Sequence, residues 1–544
     1  WYKALPCKQQ LAMSLNLATE SSEKNKLAGQ PSFQSISEFY AGKNVLITGI
    51  TGFLGKVLLE KLLWSCPQIG HIFALMRPKR GESIGARLDS LLASKLFDRL
   101  RQDRPDFRSQ ISPLQGDLFE PNLGLSQKDV ELLIRNVSIV FHSAATVRFD
   151  EHLKIAVQMN LEGPKKVAEL CERMPHLEAL VHVSTAYANC DRRVVEEAVY
   201  APEVHPQKLL DAIEWMDDDV LEQVTPRLLG QKPNTYTFTK QLAEFYLTDR
   251  FSHLPIVIVR PSIVGASWQE PLPGWVDNFN GPTGVFAAIS KGLLRMMQGD
   301  VRCKADIIPV DIATNIIISS VWNFRLFSRQ ATVYNAGVGP GNRLTWGDVE
   351  RITPEYFVCN PTQSVIRLPK ASFTTNSLWC NINWLFNHQL PACLMDLWMY
   401  ASGRRTVFVR VSNRIRKSTR SLDYFTSREW VFNNTNVLSA MDRMSPSDRL
   451  EFDCDASKVD WRLYLERYCT GVKQYALKED LDDNGSARAH IRKLQRLSLM
   501  WNVLLCVLVW RFTLKRVPLA HTMWVLMLNL AMSLFEKLPR LARS

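Results

Sequence analysis

The sequence predicts an α/β protein built on a parallel β-sheet with helices on both faces. Short apolar runs, typical of strands buried on both sides, occur at residues 44–48, 71–76, 137–141, 177–184 and 256–260. Stretches with helical spacing lie between these runs, at residues 56–63, 159–174 and 239–249. Because strand and helix alternate, we expect a doubly wound sheet, and the 544 residues leave room for further domains.

The net charge indicates the class of partner, and the cysteine content indicates the redox state of the thiols. The formal net charge is +12, which suits a partner that carries phosphates, such as a membrane surface or a nucleotide-bearing substrate. The sequence has no zinc-finger or RNP pattern, so we expect no nucleic-acid partner. The 11 cysteines include no CxxC pair, which favours reduced thiols and no metal site.

A glycine-rich turn follows the first predicted strand, and its glycines have the spacing GxxGxxG. Gly49 would permit the tight turn, Gly52 would let the backbone approach a pyrophosphate, and Gly55 would let the helix pack closely. This strand–turn–helix context predicts a Rossmann-type dinucleotide site. The residues that we place at the cofactor here are Thr48, Gly49, Thr51, Gly52, Phe53, Leu54 and Gly55.

The residues after the second predicted strand favour NADPH over NADH. Arg77, Lys79 and Arg80 follow the strand, Arg87 lies further on, and no acidic residue stands where the strand ends. An acidic residue would bind the ribose hydroxyls, whereas a basic one would accept the 2′-phosphate. We therefore assign Arg77 and Arg87 to the cofactor; the alternative is a solvated basic turn.

Further along the chain, other residues are predicted to contact the nucleotide. Asp117 is expected to meet the adenine, and Ala144 and Ala145 to line the nucleotide path after the strand that ends at His142. Leu118 and Pro261 complete the predicted cofactor set.

A YxxxK pattern supplies the candidate catalytic groups. Tyr236 and Lys240 are four residues apart, so they share one face of a helix. A nearby cation would lower the tyrosine pKa from about 10, and the phenol could protonate a carbonyl oxygen as hydride arrives at carbon. Lys240 would also hold the nicotinamide ribose. The pattern is common on structural helices, but Ser184 and Thr185 end an upstream strand and could polarise the same oxygen. Thr185 is the preferred hydroxyl and Ser184 the alternative.

These motifs resemble the extended short-chain dehydrogenase/reductase family and, more narrowly, the animal (insect-type) alcohol-forming fatty acyl-CoA reductases. The N-terminal resemblance rests on residues 38–55, 116–118, 281–284, 291–295 and 305–311. The second part of the chain resembles the C-terminal domain of that family at residues 388–392, 424–426, 430–432, 460–461 and 471–475. One departure is Gly-Ile-Thr at residues 49–51, where Gly-Ala-Thr is usual.

The resemblance implies that long-chain fatty acyl-CoA is reduced with NADPH to a primary alcohol, in two hydride transfers that release coenzyme A. Such an activity serves lipid, wax or ether-lipid metabolism. By analogy Tyr236 protonates the oxygen, Thr185 or Ser184 polarises it, and Lys240 tunes the tyrosine. Two alternatives stay open: a membrane-bound short-chain reductase acting on a steroid or other carbonyl substrate, and a non-catalytic NADPH-binding scaffold.

The predicted domain organisation follows the changes in pattern along the chain. Its parts are a polar N-terminal segment at 1–40, a catalytic domain at 41–345, a smaller, mainly helical C-terminal domain at 360–480, a basic linker at 481–496 and a hydrophobic region at 497–544.

The hydrophobic region predicts a membrane anchor. It contains apolar stretches at 497–510 and 517–535, and the second is about 28 Å long as a helix, close to a hydrocarbon core of ~30 Å. We expect one span with an interfacial helix, or a re-entrant hairpin, rather than a buried helical pair. The catalytic domain is expected to face the cytosol, with the endoplasmic reticulum as first choice and the peroxisome as second. The aromatic stretch at 379–400 could shape an acyl tunnel, touch the bilayer or belong to an ordinary core.

Overall fold

A computed structural model describes residues 34–79, 81–328, 332–339, 341–481 and 485–516, together with residues 522–527, 529 and 532. The chain forms two compact units. The first contains the described residues up to Asn278, then Cys303–Thr345 and Arg428–Tyr468. The second contains Phe279–Arg302, Trp346–Ser427 and the described residues from Cys469 onwards.

The first unit is built on a seven-stranded parallel sheet. Its strands, in chain order, are β1 Val45–Thr48, β2 Ile72–Met76, β3 Ile111–Gln115, β4 Ile139–His142, β5 Ala179–Val183, β6 Ile256–Pro261 and β7 Thr332–Ala336. Their order in the sheet is β3-β2-β1-β4-β5-β6-β7, and every neighbouring pair is parallel. The order reverses between β1 and β4, and ligands of such sheets bind in the crevice at that reversal. The predicted fold class is therefore confirmed.

The strands β3 and β7 lie at the two edges of the sheet and are not among the strands predicted from apolar runs. β3 contains Pro113, which an edge strand tolerates because one side makes no ladder hydrogen bonds. β7 contains the buried Asn335, whose amide donates to the carbonyls of Val195 (3.1 Å) and Asn433 (2.7 Å). Polar or proline residues interrupt both strands, so neither forms a continuous apolar run.

Helices cover both faces of the sheet. Three of them carry labels below: α1 Phe53–Ser65, α2 Thr235–Arg250 and α3 Val310–Phe327. The other helices of this unit are Ile36–Tyr40, Ile84–Leu92, Asp98–Asp103, Gln127–Asn136, Leu153–Val157, Gly163–Cys171, Pro206–Trp215, Asp218–Leu229, Thr435–Arg443 and Pro446–Glu451, with Trp461–Gly471 at the boundary. α1 packs against α3, whereas α2 packs against Gly163–Cys171 in a core with Leu46, Val140 and Leu180.

The second unit is mainly helical, as predicted. It contains Pro282–Ser290, Trp346–Cys359 and a continuous helix, α4, made of Ser377–Trp384, the π-helical turn Leu385–Gln389 and Leu390–Ala401. α5 Phe408–Arg420 follows, then Asp423–Thr426, and the unit's two short strands, Met297–Gln298 and Phe373–Thr374, pair in parallel.

A long apolar helix, α6 Gly485–Arg516, follows in the second unit. The segment predicted as a basic linker is thus helical from Gly485. Within the described part of the chain, Gly485–Phe512 is the one helix whose length and composition suit a membrane span, and its apolar window is not buried. This helix suggests a membrane anchor. Most of the second predicted apolar stretch, 517–535, lies outside the described residues, and 522–527 are helical.

Candidate active site

The turn after β1 has a shape that only glycine permits. Gly49 has φ +78°, and a Cβ there would lie 2.6 Å from the backbone nitrogen of Ala144. A Cβ on Gly55 would lie 2.3 Å from the carbonyl oxygen of Gly49. Gly52 precedes the first residue of α1, and its N–H donates to the carbonyl of Gly49 (2.9 Å). The turn therefore presents bare backbone at a helix N-terminus, which is what a pyrophosphate requires.

Hydrogen bonds join this turn to the loop after β4, across the reversal in strand order. The Thr48 hydroxyl lies 2.8 Å from Nδ1 of His142 and accepts a hydrogen bond from the N–H of Ala144 (3.3 Å). The Ser143 hydroxyl donates to the carbonyl of Thr48 (2.8 Å). Ala144 and Ala145 are partly exposed beside the turn, where the sequence places the nucleotide path.

The other predicted cofactor residues follow neighbouring strands. Thr51, Phe53 and Leu54 are partly exposed at the start of α1, and the ring of Phe53 stacks on that of Trp275 at 5.3 Å. Arg77 directly follows β2 and is exposed, and its carbonyl accepts a hydrogen bond from the Arg87 guanidinium. Arg80 lies outside the described residues.

The loop after β3 carries Asp117 and Leu118. Asp117 is partly exposed and Leu118 is buried, while the preceding Gly116 donates its N–H to the carbonyl of Met76 (3.0 Å). This bond holds the ends of β2 and β3 together. Apart from Pro261, which ends β6, and Lys240 on α2, the residues assigned to the cofactor thus lie at the carboxyl ends of β1, β2, β3 and β4.

The candidate catalytic residues come together at the ends of β5 and β6. The Thr185 side chain lies close enough to the Tyr236 phenol to lower its pKa. The Thr185 hydroxyl also donates, over 3.5 Å, to the carbonyl of Pro261 at the end of β6. The Lys240 ammonium donates to the carbonyl of Val183, the last residue of β5 (2.8 Å).

Local sequence explains how α2 presents Tyr236 and Lys240. Asn234 caps the helix, since its side-chain oxygen accepts a hydrogen bond from the N–H of Thr237 (2.9 Å). Capping fixes the start of the helix at Thr235, one residue before Tyr236. The i, i+4 spacing then places Lys240 one turn further along the same face.

The two candidate hydroxyls differ in their surroundings. The Thr185 side chain acts on the pKa of Tyr236, whereas the Ser184 hydroxyl is buried with no hydrogen-bond partner among the described residues. The Ser184 N–H donates to the carbonyl of Val259 (2.7 Å) and so continues the sheet. The geometry therefore favours Thr185 as the hydroxyl that acts with the tyrosine.

Burial dominates the ionisation of the tyrosine and the lysine. It raises the pKa of Tyr236 to about 12, although the Thr185 side chain acts in the opposite direction. This direction is opposite to the lowering expected from the sequence. Burial lowers the pKa of Lys240 to about 8, while the negative charge of Glu244 acts to raise it. A tyrosine with a raised pKa stays protonated at neutral pH and can act as a proton donor.

Asn160 lies near the site and was not predicted from the sequence. It is fully buried, and its side chain accepts from the N–H of Thr146 (3.0 Å) and donates to that residue's carbonyl (3.1 Å). It also donates to the hydroxyl of Thr239 on α2 (3.2 Å), so it ties the β4 loop to the catalytic helix. It sits in the π-helical turn Gln158–Glu162, a feature frequent at functional sites but without a clear sequence signal.

The rings of His142 and His182 stack behind the site at 5.8 Å. Burial and the positive charge of Lys240 lower the pKa of both, that of His142 to about 3. Both are therefore neutral at physiological pH. Their hydrogen-bonding groups are not all satisfied, because neither ring nitrogen of His182 has a partner within the described chain.

Comparisons with known proteins identify the family. Two family models, both described as male sterility protein, match residues 47–317 and 387–479, and the first is an NAD-binding model, which supports a nicotinamide cofactor. Fatty acyl-CoA reductase 1 of Mus musculus and that of Homo sapiens are each 42% identical over 497 residues, covering 91% of this chain and 96% of the relative. Fatty acyl-CoA reductase 2 of Mus musculus is 38% identical, covering 90% and 95%.

A solved structure supports the fold alone. The reductase domain of a non-ribosomal peptide synthetase from Mycobacterium tuberculosis superposes with a TM-score of 0.53 at 16% identity, covering 80% of this chain and 92% of that one. The extent of the sequence matches goes further than a shared fold, since they span both compact units. The chain belongs to the fatty acyl-CoA reductase family.

Proposed function

We propose that this protein reduces long-chain fatty acyl-CoA to a primary fatty alcohol with NADPH. The observation that carries the proposal is the neighbouring pair of Tyr236 and Thr185, with Lys240 one helical turn away, at the same sheet edge as the glycine turn. The names of the curated relatives supply the substrate class.

The residues of the site fit both reductive steps. When bound, NADPH supplies one hydride to the thioester carbon. A second NADPH molecule supplies one hydride to the aldehyde carbon. The Tyr236 hydroxyl, kept protonated by its raised pKa, donates a proton to the carbonyl oxygen. Thr185 polarises that oxygen, and Lys240 holds the ribose. Each step consumes one proton; the first releases coenzyme A as its thiol, and the second leaves the alcohol.

The preference for NADPH rests on the basic residues after β2. Arg77 is exposed directly after the strand, and the Arg87 guanidinium donates to its carbonyl, which supports a role for both residues in binding a 2′-phosphate. Asp117, Leu118, Ala144, Ala145 and Pro261 would complete the cofactor contacts. Double substitution of Arg77 and Arg87 by alanine is the direct test of this preference: it should weaken NADPH binding more than NADH binding.

The domain organisation and location form the second part of the proposal. Residues 41–345 bind NADPH and carry the catalytic groups, and residues 360–480 form the C-terminal domain typical of the family. Helix α6 anchors the protein in a membrane and gives it access to lipid substrates and products. The catalytic domain faces the cytosol, where NADPH is available, on the endoplasmic reticulum in preference to the peroxisome.

The test is product analysis with membranes from expressing cells. The membranes are incubated with NADPH and a panel of acyl-CoAs of different chain lengths, and the lipids are analysed for aldehydes and alcohols. Alcohol formed by the native chain but not by Tyr236→Phe supports the proposal and gives the chain-length range. Aldehyde alone would remove the second step. A folded, NADPH-binding protein that forms neither product would contradict the proposal.

A further inference from the structure

Helix α4 of the second unit exposes a large apolar surface. Trp379, Leu385, Phe386, Leu394, Leu397 and Trp398 are each at least 52% exposed. The buried residues of the helix, Trp384, His388 and Ala392, are spaced four residues apart and form one stripe, so the exposed apolar side chains occupy the rest of its surface. This exposure rules out the ordinary-core interpretation of residues 379–400. Soluble surfaces rarely carry so large an apolar patch unless it contacts a partner or a membrane.

Hydrogen bonds hold helix α5 against helix α4. Asp396 is the one Asp, Glu, Lys or Arg residue of α4, and its carboxylate accepts hydrogen bonds from the N–H groups of Val407, Phe408 and Val409, each 2.9 Å long. Asn381, near the other end of α4, accepts from Arg416 at 3.2 Å. The two helices therefore run antiparallel and form one structure, the α4–α5 hairpin (residues 377–420).

The hairpin is also strongly basic. Residues 397–422 contain no Asp or Glu. The exposed cations of this stretch are Arg404, Arg405, Arg410, Arg414, Lys417 and Arg420. Arg416, Lys417 and Arg420, with Asn413 and Ser421, line an open cleft of about 400 Å³ on α5.

We propose that the α4–α5 hairpin lies on an anionic lipid bilayer, with the apolar side of α4 inserted among the acyl chains and the cations at the headgroups. Trp, Phe and Leu beside Lys and Arg are the composition of helices that bind in the membrane interface. Clustered cations at the headgroup level add attraction for anionic lipids. This contact is additional to the α6 anchor, which belongs to the same compact unit.

The positive charge of the hairpin favours a bilayer, rather than a second copy of the chain, as its partner. A two-fold symmetric pairing of hairpins would bring two sets of cations close to one another. Like charges repel at that range, whereas anionic headgroups neutralise them. An anionic bilayer buries the apolar side of α4 and neutralises the cations at the same time.

Photo-crosslinking of the full chain in proteoliposomes tests the proposal. The photoreactive residue p-benzoylphenylalanine replaces Phe386 or Trp398 in the hairpin and, as matched controls, Trp215 or Leu450, which are 73% and 85% exposed on the first unit. All four positions are exposed, so the substitution preserves folding, and NADPH binding checks this. We expect lipid adducts at 386 and 398 to exceed those at 215 and 450 by about fivefold or more.

A second comparison tests the role of the cations. Replacing Arg410, Arg414, Lys417 and Arg420 with glutamine should lower the adduct yield at 386 in phosphatidylcholine vesicles that contain phosphatidylserine. For the chain that keeps these four cations, the adduct yield at 386 should be low in vesicles of phosphatidylcholine alone. Equal lipid adducts at all four probe positions would overturn the proposal. Crosslinks to a second copy of the chain or to residues 517–544 would also overturn it. Lipid-adduct yields that do not depend on phosphatidylserine would overturn it as well.

Discussion

Thr185 and Ser184 are adjacent at the end of β5, but only Thr185 acts on the pKa of Tyr236. Thr185→Val keeps the shape and removes the hydroxyl, so kcat should fall by about 10²–10³-fold, as for loss of one group that stabilises an oxyanion. Thr185→Ser should retain most of the activity, and Ser184→Ala should change it little. Steady-state NADPH oxidation with acyl-CoA measures all three. A larger loss in Ser184→Ala than in Thr185→Val would reverse the assignment.

The lowered pKa of Lys240 predicts an alkaline limit to activity. Burial lowers this pKa to about 8, so the ammonium loses its proton, and its positive charge, as the pH rises through about 8. The profile of kcat/KM should therefore decline above that pH, well below the pKa of about 12 of Tyr236.

Lys240→Arg supplies the control for this limit. Arginine keeps its charge, so the alkaline decline should move to higher pH even if the maximum rate falls. An unchanged decline in the variant would assign the limit to another group.

Sequence spacing is sufficient to identify Tyr236 and Lys240 as a pair, because i and i+4 on one helix is a local relation. It is not sufficient for the direction of the Tyr236 pKa shift, which depends on burial by distant parts of the chain. Asn160 was missed for a related reason: its partners Thr146 and Thr239 meet it only in the folded protein.

At the scale of elements, the glycine turn offers a sharp test. A Cβ at residue 55 would lie 2.3 Å from the carbonyl oxygen of Gly49, so Gly55→Ala must displace the turn or the start of α1. We expect NADPH affinity to fall by an order of magnitude or more, about 1.4 kcal/mol for each factor of ten. Fluorescence titration with NADPH measures the affinity.

Gly85→Ala is the matched control for Gly55→Ala. Gly85 also lies in the first turn of a helix, Ile84–Leu92, and a Cβ there would meet nothing within 4 Å. Its NADPH affinity should match that of the native chain. Equal affinities in both variants would contradict the role given to the turn.

The central strands were predictable from apolar runs because both of their faces are covered by helices, as β1 and β2 illustrate with every residue buried. The edge strand β3 exposes part of its surface and carries Pro113, so its composition resembles that of a loop. Register and strand order are relations between segments, and apolar runs along the chain carry no information on either.

For the whole molecule, α6 predicts integral association with membranes. Its apolar window is exposed, and a spanning helix resists conditions that remove surface-bound proteins. The full chain should remain in the pellet after alkaline carbonate extraction, and a chain that ends at residue 496, which keeps the hairpin but lacks most of α6, should be retained to a smaller extent. Immunoblotting of pellet and supernatant measures the distribution. Release of the full chain would contradict the anchor.

The assembly of the compact units could not be predicted from the order of patterns along the chain. Each compact unit is assembled from separate segments, so Phe279–Arg302 belongs with later residues. The apolar stretch at 379–400 left three interpretations open, and only the exposure of its side chains removes the ordinary core.

The most direct test of the central claim is the stoichiometry of the reaction. With purified full chain and one long-chain acyl-CoA, the account predicts two NADPH oxidised and one coenzyme A thiol released for each fatty alcohol formed. Tyr236→Phe should bind NADPH with native affinity and form no alcohol. One NADPH per coenzyme A with aldehyde as the final product, or alcohol formed at the native rate by Tyr236→Phe, would contradict the account.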